Sequence, residues 1–153
     1  SVDHGVDPDY IKAMAASGYK GLDAEGLVRA NDHGVDPEYL REIAGFGYAN
    51  LPLEDVIRLR DHGVDADYLA GMLKAGISNI APEDVVRMRD HGVEPEFARD
   101  MAALGYKDIS PESLIRMSDH GVDAEDVRRA NTNRGGARLS PEEIIRLSDR
   151  GEI

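Results

Sequence analysis

The sequence has no cysteine and no tryptophan, and aromatic residues make up only 5% of its 153 positions. Without cysteine there are no disulfides, no thiolate metal sites and no thiol nucleophile, and the compartment is left open between cytoplasm and periplasm. So few aromatics make a lean core for a compact globule, but a sufficient one for an elongated stack whose core is thin. No apolar run approaches the ~18 residues of a membrane span. No positively charged, hydrophobic leader opens the chain. Both absences read as a soluble segment with no membrane insertion. Positive charge is also short: 18 Lys and Arg against 30 Asp and Glu give a net charge of −12. Such a field repels nucleic acid and anionic membranes, and points to a basic target or to a self-repelling, monomeric surface. His-Glu-x-x-His, Gly-x-Ser-x-Gly, a P-loop and a dinucleotide fingerprint are all missing, so neither catalytic residues nor a cofactor are expected.

What the sequence does have is repetition. Asp-His-Gly-Val begins at Asp3, Asp32, Asp61, Asp90 and Asp119, each 29 residues after the last, and a worn copy, Asp149-Arg150-Gly151, follows. Glycines recur at Gly18, Gly47, Gly76 and Gly105, and arginines at Arg29, Arg58, Arg87, Arg116 and Arg146. A fixed period of this length is the signature of a repeat architecture.

One unit, residues 36–64, can be read from its punctuation. Asp36 is a good N-cap, Pro37 suits the first helical position, and Glu38 favours the first turn. The first helix of the unit, helix A, is expected to run to about Phe46 with Tyr39, Leu40 and Ile43 on its apolar stripe. Gly47 is the expected left-handed terminator, and Tyr48 the residue that folds back on Ile43. Helix B starts near Pro52, turns Val56, Ile57 and Leu59 inward and stops at Gly63. The connections are short, about five residues from A to B and about three from B to A, so successive helices must pack antiparallel or at a steep angle. Neither helix exceeds roughly three turns, and one unit cannot bury enough alone, so neighbours must supply the missing contacts. The expectation is an all-α fold: an α-solenoid (superhelix) of about five tandem two-helix repeats. It forms a single domain over 1–153, with units at about 7–35, 36–64, 65–93, 94–122 and 123–153.

Polar positions repeat as strictly as apolar ones. Glu25/Arg29, Glu54/Arg58, Glu83/Arg87, Glu112/Arg116 and Glu142/Arg146 stand four apart in the favourable helical order. Asp32, Asp61, Asp90 and Asp119 follow their arginines by three, where an acid opposes the helix dipole. An Arg–Asp contact, within the helix or across to the next repeat, would compensate, and a structural ladder is favoured over a ligand-binding stripe. The five histidines, His4, His33, His62, His91 and His120, share one repeat position. Adjacent copies should lie about 9–10 Å apart, the spacing of packed helices. Two histidines on one zinc need nitrogens within roughly 4 Å. Capping of helix-end carbonyls is therefore expected ahead of a metal ladder.

The fifth unit departs from the others. Asp126 stands where the earlier copies have Tyr10, Tyr39, Tyr68 and Phe97, and Ala130 where they have Met14, Ile43, Met72 and Met101. Its loop, Asn131 to Gly136, carries one extra residue and no cap tyrosine. Arg128, Arg129, Arg134 and Arg138 form the one basic cluster of an acidic chain. A degenerate C-terminal cap is the first reading, and a site for an acidic group on a partner the second.

The phrases Gly-Val-Asp-Pro-Glu-Tyr-Leu-Arg-Glu-Ile (34–43), Leu-Gly-Tyr-Lys-Asp-Ile-Ser-Pro-Glu-Ser-Leu-Ile-Arg-Met (104–117) and Asp-His-Gly-Val carry a resemblance. They look like the short bacterial helical repeats found in C-terminal regions of membrane metallopeptidases of the beta-lactam-sensor, antirepressor type. That resemblance spans nearly the whole chain and implies a sensory or protein-interaction appendage rather than an activity; the peptidase motif is absent. The chain opens mid-motif, at Ser1-Val2-Asp3-His4, as an excised fragment would, and the variation among repeats favours a natural origin over an engineered array. The expected function is a non-catalytic scaffold that binds a protein or peptide. The alternative is a ligand or divalent-metal sensor using the Asp-His row.

Overall fold

The computed structural model describes residues 6–19 and 22–153, so Asp3 and His4 of the first copy of the motif lie outside the described residues. Ten short α-helices and no strand are present among them. In chain order these are α1 Pro8–Ala16, α2 Ala24–Asp32, α3 Pro37–Ala44, α4 Leu53–Asp61 and α5 Ala66–Lys74. They continue with α6 Pro82–Asp90, α7 Pro95–Ala103, α8 Pro111–Asp119, α9 Ala124–Asn133 and α10 Pro141–Asp149. Odd-numbered helices are the A helices and even-numbered ones the B helices of five tandem repeats. The fold is the all-α tandem helical repeat that the period predicts.

Local chemistry starts and stops each helix. The side chains of Asp7, Asp36, Asp65 and Asp123 accept hydrogen bonds from the amides of Tyr10, Tyr39, Tyr68 and Asp126, each 2.8 Å long. In the fourth repeat Glu94 takes the capping position and makes no such bond, because its carboxylate sits one methylene too far out. Ser110 and Ser140 cap α8 and α10. At the other end, the amide of Tyr48 bonds the Ile43 carbonyl across Gly47, whose φ is +106°. The amides of Val35, Val64, Val93 and Val122 close the B helices in the same way, across glycines 34, 63, 92 and 121 with φ between +72° and +77°. Helix A is shorter than expected. The Phe46 amide bonds Ile43 rather than the residue four back, so α3 tightens and ends at Ala44, leaving residues 45–52 as the connection.

Contacts gather the chain into two compact units, one ending at Ala70 and the other running from Gly71 to Ile153, with α5 shared at the boundary. In the first unit the core comprises Met14, Ala30, Val35, Tyr39, Ile43, Val56 and Leu59, all at most 1% exposed. In the second, α6 packs on α8 and α8 on α10, while α7 packs on α9. A helices thus stack on A helices, and B on B. Met72, Met88, Met101, Leu114, Met117, Val127, Ala130 and Ile144 are fully buried there. Gly71 permits the close approach of α5 to the start of α7, since a Cβ at that position would sit 2.6 Å from the Pro95 ring. No helix among the described residues is long and apolar enough to cross a membrane.

Candidate functional site

Three recurring polar bonds join one repeat to the next, and together they account for most of the strictly periodic polar residues. The first is an arginine–glutamate pair. The Arg29 guanidinium donates from Nε and Nη2 to both Glu54 oxygens at 2.8 and 2.6 Å, Arg87 reaches Glu112 at 2.9 Å, and Arg116 approaches Glu142 at 3.7 Å. This corrects the expectation that these arginines close on the glutamate four residues earlier in their own helix. Glu25 and Asp61 both add to the field that raises the Arg29 pKa, but the bond to Glu54 comes first among its causes. The same bond lowers the Glu54 pKa. In the Arg29–Glu54 pair the guanidinium meets the carboxylate edge-on in a bidentate fork across two helices.

The second is a histidine–aspartate pair. The Nδ1 atoms of His33 and His91 lie 2.9 Å from Asp61 and Asp119, and that of His120 lies 3.0 Å from Asp149. The imidazoles therefore serve the next repeat, and do not cap the carbonyls of their own helix; it is the His33 backbone amide that bonds the Arg29 carbonyl. These pairs also answer why an acid recurs at the unfavourable end of helix B: its charge is met by the preceding repeat. Among the described residues, no group of three or more metal-ligating side chains converges.

The third bond was not legible as such in the sequence. Tyr10 and Tyr39 donate their hydroxyls to the carbonyls of Val35 and Val64 at 2.6 and 2.7 Å. Tyr19 and Tyr106, from the A-to-B connections, donate to Leu51 and Leu139 at 2.5 Å. The rings of Tyr39 and Tyr106 are buried and those of Tyr10 and Tyr19 half-buried, and each hydroxyl satisfies a turn carbonyl of the next repeat. The sequence signal was present, since tyrosine rather than phenylalanine recurs, but apolar periodicity alone does not distinguish the two. Burial, with Asp36 adding, pushes the Tyr10 pKa up to about 12.

With those residues accounted for, the basic cluster of the fifth repeat can be placed. Arg128 closes on Glu125, which raises the arginine pKa and lowers that of the acid. Arg129 reaches Asp126 at 2.6 Å. Asp126 itself forms a reciprocal cap with Asp123, which is why an acid is tolerated where other repeats put an aromatic ring. Arg134 donates to the Glu152 carbonyl at 3.3 Å. Arg138 lies over the Tyr106 ring at 5.8 Å, near Gly105. The four arginines thus do not share one surface role. Arg138 lines an open groove of about 550 Å³ with Tyr106, Lys107, Asp108, Ser110 and Ser113. Arg128 lines a different, more apolar one with Ala103, Leu104 and Ala124. Among the described residues, no polar or charged side chain is buried in the core. The chain matches no protein-family model and no curated protein.

Proposed function

We propose that this chain is a non-catalytic helical-repeat scaffold that binds a protein or peptide through the A-to-B connections of its fourth and fifth repeats. The observation that carries the reading is the engagement of periodic polar residues: Arg29, Arg87, His33, His91, His120, Tyr10 and Tyr39 spend hydrogen bonds on the next repeat. A catalytic or ligand-binding stripe would keep such groups free and convergent. What those bonds leave over is the groove lined by Lys107 and Arg138 with Asp108, Ser110 and Ser113, in which Arg138 has no counterpart in the other repeats. It is open and of mixed polarity, which suits an extended or turn segment more than an enclosed small molecule. Two cations on an acidic chain select an acidic stretch of the partner, and the net charge of −12 discourages other anionic surfaces. The resemblance to appendage repeats of bacterial sensor peptidases points the same way.

The test is capture from a bacterial lysate on the immobilised chain and on a Lys107→Ala/Arg138→Ala variant of matched helicity. A protein held by the first and lost by the second supports the reading, and equal retention moves the site elsewhere. Calorimetric titration with zinc, calcium and magnesium discriminates the alternative. Stoichiometric heat, abolished by His91→Ala, would replace the scaffold with a metal sensor built on the Asp-His row.

A further inference from the structure

The groove between the fourth and fifth repeats differs in charge from the same place elsewhere in the period. Its polar wall comprises Lys107, Asp108 and Ser113 of the fourth repeat and Arg138 of the fifth. One repeat earlier the same four positions hold Ser78, Asn79, Asp84 and Asp108, two acids and no cation. Two repeats earlier they hold Ala49, Asn50, Asp55 and Asn79, again acidic, and three earlier Lys20, Gly21, Gly26 and Asn50, with a single cation. Two changes therefore coincide in one groove: an acid gives way to Ser113, and an amide or acid gives way to Arg138.

The cation at 138 is held in place. Its guanidinium lies over the Tyr106 ring at 5.8 Å and against Gly105, where any Cβ would collide with it. The next residue, Leu139, is fixed on both sides, its amide donating to Asn131 at 2.9 Å and its carbonyl accepting from the Tyr106 hydroxyl. Neither Arg138 nor Lys107 meets a carboxylate among the described residues, and both are exposed. Glu112, which could have neutralised them, is taken by Arg87 at 2.9 Å. The Ser113 oxygen accepts from the Ser110 hydroxyl at 3.2 Å, which leaves the hydrogen of Ser113 to donate outward.

We infer that this groove receives a phosphate monoester carried on a serine or threonine of the partner segment. Arg138 and Lys107 are its cationic contacts and the Ser113 hydroxyl is a third donor. The inference rests on the groove being the partner's binding site, and it names the group recognised there. A carboxylate has two oxygens and one charge, too few for this set of donors. A phosphate monoester has three oxygens and a charge near −2, and suits a fixed guanidinium beside a mobile ammonium. Asp108 sharpens the choice. It offsets one of the two cations, and since attraction scales with ligand charge, a dianion gains about twice what a carboxylate does from the remainder. Ile109 and Pro141, both half-buried on the same wall, offer apolar contact to the chain that bears the phosphate.

Titration of the isotope-labelled chain with N-acetyl-phosphoserine amide, followed through backbone amide shifts, tests the inference. Saturable shifts confined to residues 105–113 and 138–141 are expected, with the serine and glutamate analogues binding at least about tenfold more weakly. Inorganic phosphate should also bind more weakly, since it lacks the apolar contact. Arg138→Gln and Lys107→Gln, each of unchanged helicity, should weaken binding by about tenfold. Asp108→Asn should tighten it, a gain that a merely structural residue would not give. A glutamate analogue that binds as well as the phosphoserine would overturn the phosphate and leave an acidic partner segment standing. Inorganic phosphate binding as tightly would overturn the partner's side chain as its source. Absent shifts, or shifts elsewhere in the chain, would overturn the site. A protein captured equally from lysate with and without phosphatase treatment, yet lost on Lys107→Ala/Arg138→Ala, would sink the phosphate while sparing the scaffold.

Discussion

Replacing Tyr39 by phenylalanine isolates the bond between repeats that sequence reading overlooked. The ring of Tyr39 is 1% exposed, its hydroxyl donates to the Val64 carbonyl at 2.7 Å, and Arg60 lies over its face at 4.7 Å. Phenylalanine keeps the ring, its burial and the arginine above it, and removes one oxygen. What is lost is one buried hydrogen bond and the satisfaction of a carbonyl on a valine that is itself 1% exposed. A buried acceptor left without its donor costs about 1–3 kcal/mol. The fourth repeat carries Phe97 at the equivalent position, so the exchange is sterically admissible, and the lower half of that range, about 1–2 kcal/mol, is expected. For a chain of this length that is a fall in melting temperature of roughly 2–8 °C. Tyr39→Ala, which also opens a cavity, should cost about 3–5 kcal/mol. Urea denaturation followed by circular dichroism measures both, with the slope compared to check that the transition is the same in each protein. A Tyr39→Phe variant as stable as the wild type, beside a Tyr39→Ala variant that is not, would refute the argument. The ring alone would then hold the repeats together, and the short oxygen–oxygen distances would carry no net stabilisation.

Three further outcomes follow from the same structure. Gly121 has φ +72° with no atom within 4 Å of an added Cβ, so Gly121→Val should cost about 1–2 kcal/mol for backbone strain alone and Gly121→Asn distinctly less; equal stability of all three would remove the left-handed cap from the account. Glu94→Asp should add about 0.5–1 kcal/mol in the urea midpoint by giving α7 the side-chain cap that Asp36 and Asp123 give α3 and α9, and a neutral or destabilising result would contradict the capping argument. At alkaline pH the phenols should weaken the fold. The pKa of Tyr10 is raised to about 12 by burial first and the Asp36 charge second, so its contribution is whole below the unfolded value near 10 and is lost as pH climbs through 12. Phenolate absorbance should therefore show a late-titrating class of tyrosines that shrinks in Tyr10→Phe.

Much of this fold could be read from punctuation. Aspartate three residues before a tyrosine amide, proline after it, and glycine at the far end each act within one helical turn, so their consequences are local and the sequence states them directly. That is why the cap at Asp36 and the left-handed glycines 34, 63, 92 and 121 are where the spacing puts them. Partner choice was less legible. Glu25 and Glu54 are equally near Arg29 in pattern terms, one by helical spacing and one by the repeat period, and only the packing of α2 against α4 decides for Glu54. His33 posed the same difficulty, since a helix terminus offers carbonyls nearby while the next repeat offers the Asp61 carboxylate at 2.9 Å. The four arginines of the fifth repeat were adjacent in sequence but not in role: a helix separates Arg128 from Arg129 by side, and a loop carries Arg138 to Tyr106.

Periodicity has a consequence for where function can reside. A residue copied at every repeat faces the same environment each time, and in this chain that environment is the neighbouring repeat, so its chemistry is already committed. Departures from the period are different in kind. Phe97 gives up the hydroxyl and is half-buried where Tyr39 and Tyr68 are buried, and Asp126 exchanges a ring for a reciprocal cap with Asp123. Both remain structural. Arg138 is not copied by its counterparts and Lys107 only by Lys20, and both line an open groove. Arg150 stands in the place of the histidine that, one repeat earlier as His120, meets Asp149. Function is therefore to be sought where a side chain departs from the period and is not committed to the neighbouring repeat, and Arg138 beside its open groove is such a position.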